Sequence, residues 1–551
     1  MAQRWSPEDF PADVGKEMLS LNEKLLEFPY ASEVPDEVEN LIIGSGPTGL
    51  GAATRFQMSG KDFFLIDQAN DSGGLATTDV TPEGFLFDMG GHVIFSHFDY
   101  FDQLVDAAYG SEPEKWAVLQ RVSYVQCKGK WVAYPFQNNI CQLPVKEQID
   151  CLAGLVDAKL LNASGVPPTN FDEWIMRTQG PGLAELFMRP YNYRVWAVPT
   201  HLMQCKWLGE RVATADVRKA IGNVLRGEED AGWGPNAIFR FPTEGGTGAI
   251  WKQVSRKCVD VTKQCFGMRV VAIDLAGHTV TLQKGSTDKA GTWSAAEGVG
   301  PKVVKYKKMM STIPLDITLR MVGKPALAKE LYHASTHIIG IGLRGANPHD
   351  SKCWLYFPEP NSPFYRATVF SHYAAKNCPP AGSLLPTVRR AGGHSEEGDD
   401  APRGGPWWSL MFEVSESSYK PVDLARIVEQ TIQGAINVNL CKPGDEIVSI
   451  YHRRIEHGYP TPHVKRDAVL EQALPFLRDN DVWSRGRFGS YKYEVGNQDH
   501  SMMLGVEAAD NMMHGSKEFT LDHPSLANAR GAKASNNIRY NDAQFDELQT
   551  W

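Results

Sequence analysis

Long hydrophobic runs and blocks of positive charge are both missing from this sequence. Its 551 residues contain no apolar run of the roughly 20 residues that span a bilayer, and the polar opening, MAQRWSPEDF, lacks the hydrophobic segment of a secretory signal. The formal net charge is −9 with no long basic run, which argues against a nucleic-acid partner and against an acidic membrane surface. We therefore expect a cytoplasmic protein with no membrane or nucleic-acid partner.

Cysteine and histidine patterns typical of metal sites are also missing. The nine cysteines are scattered and odd in number, so they fit neither a zinc pattern nor a redox pair, and free thiols are compatible with a reducing cytosol. His333 and His337 stand four residues apart, but the segment HASTH lacks the glutamate of the HExxH zinc pattern. His452 and His457 flank Glu456, and the same objection applies to them. We expect no metal site.

The chain is too long for one compact core, so its length predicts two or three domains. Apolar residues recur at helical spacing between about residues 100 and 222, for example at Ile149, Leu152 and Val156. From about Arg269 the period changes to two, which is typical of strands. The sequence therefore predicts an α/β chain with a helical block followed by a β-rich block.

A β–α–β unit precedes both blocks. The sequence predicts a strand at Val38–Ile43, a glycine turn, a helix from about Pro47 to Ser59, and a second strand at Phe63–Asp67. The unit is about 30 residues long, which matches a dinucleotide-binding unit.

The turn of this unit has the glycine spacing of a dinucleotide site. Gly44, Gly46 and Gly49 follow the G-x-G-x-x-G pattern, in which the glycines permit a tight turn, close approach of the pyrophosphate and helix–strand packing. The N-terminus of the helix then offers free N–H groups to the phosphates. Asp67, at the end of the next strand, can accept hydrogen bonds from a ribose hydroxyl.

Two further segments resemble the FAD-binding family that includes glutathione reductase and amine oxidases. The first is Gly73-Gly74-Leu75 followed by FDMGGH, and the second is LGVEAAD at Leu504–Asp510. Two such elements more than 400 residues apart imply a discontinuous FAD domain. FAD is therefore the expected cofactor.

The middle of the chain carries a closer resemblance. The segments GGHVIFSH, YPFQNN, FMRPYNYRVWAVP, GERVA, WGPNAIFRFPTEGGTG, PFYRAT, HGYPTP and SRGRFGSYKYEVGNQDHS occur in one order and together resemble the UDP-galactopyranose mutase family, in particular its fungal branch. The similarity runs from about residue 38 to 525. Two stretches rich in glycine, proline or charge, 285–301 and 379–406, fall outside it and are predicted to be loop insertions.

The resemblance implies a FAD-binding Rossmann-like fold of the glutathione-reductase type, with an inserted helical domain and a β-sheet domain. The implied domains are an N-terminal extension (1–36), a discontinuous FAD-binding domain (37–100 with about 225–260 and 480–525), a mainly helical substrate domain (101–224), a β-rich domain (261–479) and a C-terminal tail (526–551).

The residues expected to bind FAD come from the glycine segments and from the C-terminal part of the chain. They are Gly44, Gly46, Pro47, Thr48, Gly49, Asp67, Gln68, Gly73, Gly74, Leu75, Gly90, Gly91, His92, Arg487, Asn497, Gln498 and Ser501.

The expected substrate is a nucleotide sugar, UDP-galactopyranose or UDP-galactofuranose. Aromatic faces and an amide suit uracil, and arginines with tyrosines suit a diphosphate. The expected substrate-binding residues are Tyr134, Phe136, Gln137, Phe187, Asn192, Trp196, Arg211, Asn236, Trp354, Tyr356, Arg366, Tyr373, Tyr459, Tyr493 and Asn497.

In the family that this chain resembles, reduced FAD attacks the anomeric carbon through N5 and displaces UDP, and the sugar recloses through a different hydroxyl. The resemblance implies Arg211, Arg366 and His92 as catalytic residues, NADPH or NADH as reductant, and a homo-oligomer, a tetramer in fungal relatives. The product would supply galactofuranose for surface glycans.

Two alternatives stay open at this point. A FAD-dependent oxidoreductase of the same fold, such as an amine oxidase, shares the glycines and Asp67 but does not require YPFQNN or two phosphate-binding arginines. A non-catalytic flavoprotein would bind the nucleotide sugar without converting it.

Overall fold

Two eight-stranded sheets with helices around them carry the fold. The computed structural model describes residues 29–162, 166–229, 237–288, 291–349, 352–393 and 395–529. Within those ranges, no helix has the length and apolar character needed to cross a membrane.

The first sheet contains the dinucleotide-binding unit. Its strands run in the order β10-β11-β13-β1-β2-β9, with β12 paired to β11 and β22 paired to β13. The pairs around β1 are parallel, and the β10–β11–β13 pairs are antiparallel. The strands are Glu37–Ile43 (β1), Phe64–Asp67 (β2), Gln264–Phe266 (β9), Met268–Asp274 (β10), Thr279–Thr287 (β11), Trp293–Ala295 (β12), Lys302–Ser311 (β13) and Val482–Ser484 (β22).

The second sheet is antiparallel except between β15 and β6. Its order is β18-β21-β14-β20-β16-β15-β6-β7. The strands are Ser123–Cys127 (β6), Lys130–Ala133 (β7), His333–Arg344 (β14), Trp354–Tyr356 (β15), Arg366–Val369 (β16), Arg389–Arg390 (β18), Trp407–Glu416 (β20) and Glu446–Pro460 (β21).

Three two-stranded ribbons complete the strands: Thr78–Val80 (β3) with Leu86–Asp88 (β4), Trp116–Gln120 (β5) with Ile238–Pro242 (β8), and Leu384–Leu385 (β17) with Arg403–Gly404 (β19). The α-helices are Pro47–Met58 (α1), Asp99–Tyr109 (α2), Val145–Asn162 (α3), Phe171–Leu183 (α4), Arg189–Trp196 (α5), Val217–Arg226 (α6), Gly246–Gln253 (α7), Leu315–Met321 (α8), Pro325–Ala328 (α9), Ile427–Asn437 (α10), Arg466–Arg478 (α11), Gln498–His514 (α12), Phe519–Asp522 (α13) and Pro524–Ala529 (α14).

The two helices that frame the dinucleotide unit pack backbone against backbone. A Cβ atom on Gly505 of α12 would lie 1.9 Å from the carbonyl oxygen of Thr48 in α1, and one on Gly51 would lie 2.4 Å from that of Met502. Because only glycine allows this approach, the middle of α12 is held against the first turns of α1.

The sheet topology corrects two of the predicted boundaries. The sequence places residues 261–311 in the β-rich domain, but β9–β11 and β13 lie in the first sheet with β1. It places residues 116–133 in the helical block, but they form β5–β7, and β6 and β7 extend the second sheet. Short strands alternating with turns give too few residues for a period of two to stand out.

Two smaller predictions also change. The stretch 285–301 is not all loop, since it holds the end of β11 and all of β12. The stretch 379–406 contains β17, β18 and β19. The helix Pro524–Ala529 extends into the predicted tail. Residues beyond 529 lie outside the described part of the chain, as do residues 1–28 of the predicted extension.

Candidate active site

A cavity of about 820 Å³ is lined by residues of both sheets and of the N-terminus of α12. At one end it meets the glycine turn after β1, and at the other it meets the arginine and tyrosine side chains of the second sheet. A single cavity therefore joins the predicted cofactor residues to most of the predicted substrate residues.

The cofactor end is shaped by glycine backbone. Gly44 has a φ of 101°, and a Cβ there would lie 1.9 Å from the hydroxyl of Thr312. A Cβ on Gly49 would lie 1.7 Å from the carbonyl oxygen of Gly44, whereas a Cβ on Gly46 meets nothing closer than 3.7 Å. Gly44 and Gly49 therefore serve the turn and its packing, and Gly46 leaves room for a ligand above the N-terminus of α1.

Asp67 lies at the end of β2 and lines this part of the cavity. One of its carboxylate oxygens accepts from the N–H and hydroxyl of Ser45 at 2.6 and 2.7 Å, and the other accepts from the N–H of Ala69 at 2.8 Å. These bonds fix the carboxylate beside the glycine turn, where a ribose hydroxyl can reach it.

The turn at Gly90–His92 forms the boundary between the two ends. Gly91 donates its N–H to Glu413 at 3.0 Å. Burial and the charge of Arg487 lower the pKa of His92 to about 4, so its imidazole is neutral at neutral pH. Among the described residues, its Nδ1 atom has no hydrogen-bond partner.

The N-terminus of α12 closes the cavity from the side of the C-terminal segment. Asn497, Gln498 and Ser501 all line it, and Gln498 is fixed by the indole N–H of Trp251 at 2.7 Å. Arg487 donates to the carbonyl of Gly496 at 3.2 Å.

Arg366 is the best-anchored cation at the substrate end. Its guanidinium bonds both oxygens of Glu413, at 2.7 and 2.5 Å, and Tyr365 donates to the same carboxylate at 2.6 Å. Burial disfavours the charge of Glu413, but Arg366 holds the pKa of its carboxyl below its usual range. The Arg366 amino group also reaches the hydroxyl of Tyr459 at 3.3 Å.

Arg211 reaches the cavity from the helical block. Its guanidinium donates to Asn528 of α14 at 3.0 Å and lies 5.5 Å from the ring centre of Tyr493. Arg487 lies over the rings of Tyr459 and Tyr493, at 4.8 and 5.5 Å. Cations and tyrosines are therefore interleaved around one space, as recognition of a diphosphate requires.

Burial raises the pKa of the tyrosine hydroxyls at this end. The shift affects Tyr134, Tyr356 and Tyr493, and neighbouring tyrosines contribute to it at Tyr134 and Tyr493. The phenols therefore stay protonated at neutral pH and can donate hydrogen bonds to phosphate oxygens.

Most of the predicted site residues line this cavity, but several of the predicted substrate-binding residues do not. They are buried behind the cavity wall: the rings of Phe136 and Phe187 stack at 4.6 Å, and Gln137 donates to the carbonyl of Ala213 at 3.1 Å. The predicted residues outside the lining are Gly49, Gly73, Phe136, Gln137, Phe187, Asn192, Trp196 and Tyr373, and Asn236 lies outside the described residues.

The charged cavity residues that were not predicted from the sequence include Glu413 and Arg121. Glu413 had a signal, because it is a single carboxylate in the otherwise apolar strand segment WWSLMFEV, and a buried charge requires a partner. No local sequence pattern marks Arg121, which directly follows a short strand. Its guanidinium lies 5.5 Å from the ring centre of Tyr134.

The histidines noted in the sequence pair across strands and not along one strand. The ring of His333 stacks on His457 at 4.0 Å, and His337 stacks on His452 at 5.3 Å. His457 also contacts the carboxylate of Asp316 at 3.0 Å.

Comparison with known proteins finds a solved structure that is similar in both sequence and fold over most of the chain. Residues 42–107 match the family described as NAD(P)-binding Rossmann-like domain. A crystal structure of reduced UDP-galactopyranose mutase is similar with a TM-score of 0.78 and 43% identity, covering 91% of this chain and 99% of that one.

Other matches are shorter or show the fold alone. A putrescine oxidase double mutant gives a TM-score of 0.54 at 11% identity, over 87% of this chain and 99% of that one. The inactive all-trans-retinol 13,14-reductase of Danio rerio is 44% identical over 69 residues, which are 12% of this chain and span 11% of that protein.

Proposed function

Since the chain belongs to the UDP-galactopyranose mutase family and is an isomerase of that type, we propose that it interconverts UDP-galactopyranose and UDP-galactofuranose on a bound FAD. The observation that carries the proposal is the link Arg366–Glu413–Gly91, which joins a phosphate-binding cation to the turn at the cofactor boundary.

A flavin dinucleotide fits the residues present. Gly46 leaves a space that a Cβ would narrow, Asp67 offers its carboxylate, and His92 has a buried nitrogen without a partner among the described residues. When bound and reduced, FAD would supply the nucleophile for the anomeric carbon.

The side chains have separate tasks in this proposal. Arg211 and Arg366 would neutralise the diphosphate and stabilise the charge that it gains when the anomeric bond breaks. The tyrosine hydroxyls would donate to its oxygens and keep UDP in place for its return. Because the Arg366 fork is already oriented by Glu413, little reorganisation accompanies charge development.

The neutral His92 would sit beside the flavin without adding charge there. We further propose that NADPH or NADH reduces the cofactor, that the protein is a homo-oligomer, and that its product supplies galactofuranose for surface glycans. The similarity to putrescine oxidase shows the fold alone and does not favour an oxidoreductase of the amine-oxidase type.

The test is conversion of UDP-galactofuranose by the purified protein with and without dithionite, followed by chromatography. We expect a bound flavin spectrum and conversion only after reduction. Absence of conversion in both states, with hydrogen peroxide formed from an amine, would favour the oxidoreductase.

A further inference from the structure

Three side chains that can bind a metal ion meet beside the cavity, and each comes from a different element. Asp316 lies in the first turn of α8, His333 begins β14, and His457 lies in β21. One possible ligand atom of each residue lies within 4.8 Å of those of the other two. Spacing along the chain does not reveal this group, because its members are distant in sequence.

The three side chains are already held together by direct contacts. The Nε2 atom of His457 lies 3.0 Å from one carboxylate oxygen of Asp316, and the His457 ring stacks on that of His333 with 4.0 Å between the ring centres. Arg320 donates to the other oxygen of Asp316 at 2.9 Å. The carboxylate is therefore oriented with one oxygen toward the imidazoles.

These separations suit a four-coordinate ion. Zinc binds imidazole nitrogen and carboxylate oxygen at about 2.0–2.2 Å, so two ligand atoms of a tetrahedral zinc site are about 3.4 Å apart. Small side-chain rotations would bring the three ligand atoms to that spacing. The carboxylate of Glu456 lies 3.5 Å from Nε2 of His333, so the fourth position is open to Glu456 or to water.

The group can be reached from the cavity. His457 and Glu456 line the cavity, as do Pro314 and Ile317, which lie on either side of Asp316 in the sequence. The Asp316 side chain is only 1% exposed, whereas those of His333 and His457 are 20% and 15% exposed. An ion can therefore approach from the side of the imidazoles and meet a buried carboxylate behind them.

Two similar groups each lack one of these features. On the same two strands, His337 contacts His452 through Nδ1 at 3.0 Å and Glu416 through Nε2 at 3.2 Å, so its two partners lie on opposite sides of its ring. A further group is close enough together but has no exposed side chain and does not line the cavity: His97, Asp499 and His500. Among the described residues, the group at Asp316 combines convergent ligands with access to the cavity.

We propose that Asp316, His333 and His457 form a binding site for a divalent transition metal of the zinc class. Two imidazoles and one carboxylate suit such ions, whereas calcium and magnesium prefer oxygen ligands alone. The ion takes the place of the proton between His457 and Asp316. Because α8 follows β13 of the first sheet, and β14 and β21 belong to the second, the bound ion links the two sheets.

The test is titration of the chelator-treated, full-length protein with Co²⁺, whose visible absorption reports the geometry of its ligands. We expect the bands of a four-coordinate site with nitrogen and oxygen ligands, without the charge-transfer bands that cysteine thiolates would give. Zn²⁺ added afterwards should remove the bands. His457→Ala should weaken Co²⁺ binding by at least about a hundredfold, the upper end of the loss caused by removing only a hydrogen-bond partner of a ligand.

His452→Ala is the matched control, because His452 lies on the same strand as His457 and also stacks on a histidine of β14. It should leave the titration unchanged. Asp316→Asn keeps the shape of the side chain without its charge, and it decides the question if His457→Ala does not fold. Absence of Co²⁺ bands in the wild type, unchanged bands in the folded His457 or Asp316 variant, or an equal loss in His452→Ala would overturn the inference.

Discussion

The two ends of the cavity are formed by different parts of the chain: a local glycine turn at one end and side chains from distant segments at the other. At the cofactor end, three glycines of a single turn, Gly44, Gly46 and Gly49, shape the backbone beside the carboxylate of Asp67. At the substrate end they are side chains from distant segments, with Arg211 from the helical block and Arg366 from β16. A backbone site can be recognised from local spacing, whereas a side-chain site exists only after distant segments meet.

The difference also concerns charge. The substrate end holds a buried pair, Arg366 with Glu413, in which each charge needs the other. Behind the cofactor end a second buried group, His97, Asp499 and His500, does not line the cavity. Arg366 and Glu413 therefore line the cavity, whereas the charged group of His97, Asp499 and His500 does not.

The largest effect is expected where the charge faces the substrate. Arg366→Ala should lower turnover by about a thousandfold, because a preorganised donor to the developing charge is lost, while the flavin stays bound. Turnover under dithionite and flavin absorbance would be measured together.

The control is Arg366→Lys, which keeps a cation beside Glu413 and so avoids a buried unpaired carboxylate. We expect it to retain stability but little turnover, because the fork geometry is lost. Near-normal turnover in Arg366→Ala would contradict the proposed role of Arg366 in stabilising the diphosphate.

At the cofactor end, a matched pair of glycine substitutions separates folding from ligand space. Gly49→Ala places a Cβ against the backbone of Gly44 and should destabilise the apoprotein by about 3 kcal/mol. Gly46→Ala has no such contact, so the apoprotein should keep its Tm and lose only FAD affinity. Equal Tm losses in both variants would contradict the division of roles.

The group behind the cofactor end predicts an acid sensitivity. Burial lowers the pKa of His500 from 6.5 to about 3, although the neighbouring Asp499 acts in the opposite direction. The unfolded chain therefore binds a proton there below pH 6.5 that the folded protein does not bind until about pH 3, so stability falls as the pH falls through this window.

His500→Gln removes that proton. We expect the slope of unfolding free energy against pH, between pH 6 and 4, to decrease by up to about 1.4 kcal/mol per pH unit, measured by urea unfolding of the apoprotein. Parallel slopes in wild type and variant would show that His500 is not the group responsible.

The smallest effect is expected at a single hydroxyl of the substrate end. Tyr459→Phe loses the bond with Arg366 but keeps the ring beneath Arg487, so kcat/KM should fall about fivefold, as for one hydrogen bond. Tyr459→Ala also removes the ring and should cost more. Identical values for the two variants would show that the ring contributes nothing.

The contrast between the ends explains which predictions the sequence could support. The β–α–β unit is confirmed to within about a residue at each end, with β1 at Glu37–Ile43 and α1 at Pro47–Met58, because its glycine spacing and hydrophobic pattern are local. The substrate residues could be named only through family resemblance. Glu413, which orients Arg366, can be recognised in the sequence as a lone charge in an apolar strand. The sequence does not show that Arg366 is its partner.

Periodicity identified one helix without identifying its buried face. The spacing of Ile149, Leu152 and Val156 predicts a helix, and α3 confirms it. Yet Ile149 is 60% exposed and Val156 46%, while Cys151 and Leu155 are buried. A period of 3.6 detects the helix, but which face is buried depends on packing partners that the helix itself does not encode.

The close contact between α1 and α12 has a consequence for how the protein is made. The ribosome completes Gly44–Gly49 more than 400 residues before it reaches Gly505, the residue that lies against Thr48. N-terminal segments generally begin to fold during synthesis. The sheet of this dinucleotide unit, however, is complete only once β22 has been made, and its cavity only once α12 has been made. We therefore expect flavin to bind only after α12 has been synthesised. A chain truncated before α12 should bind no flavin.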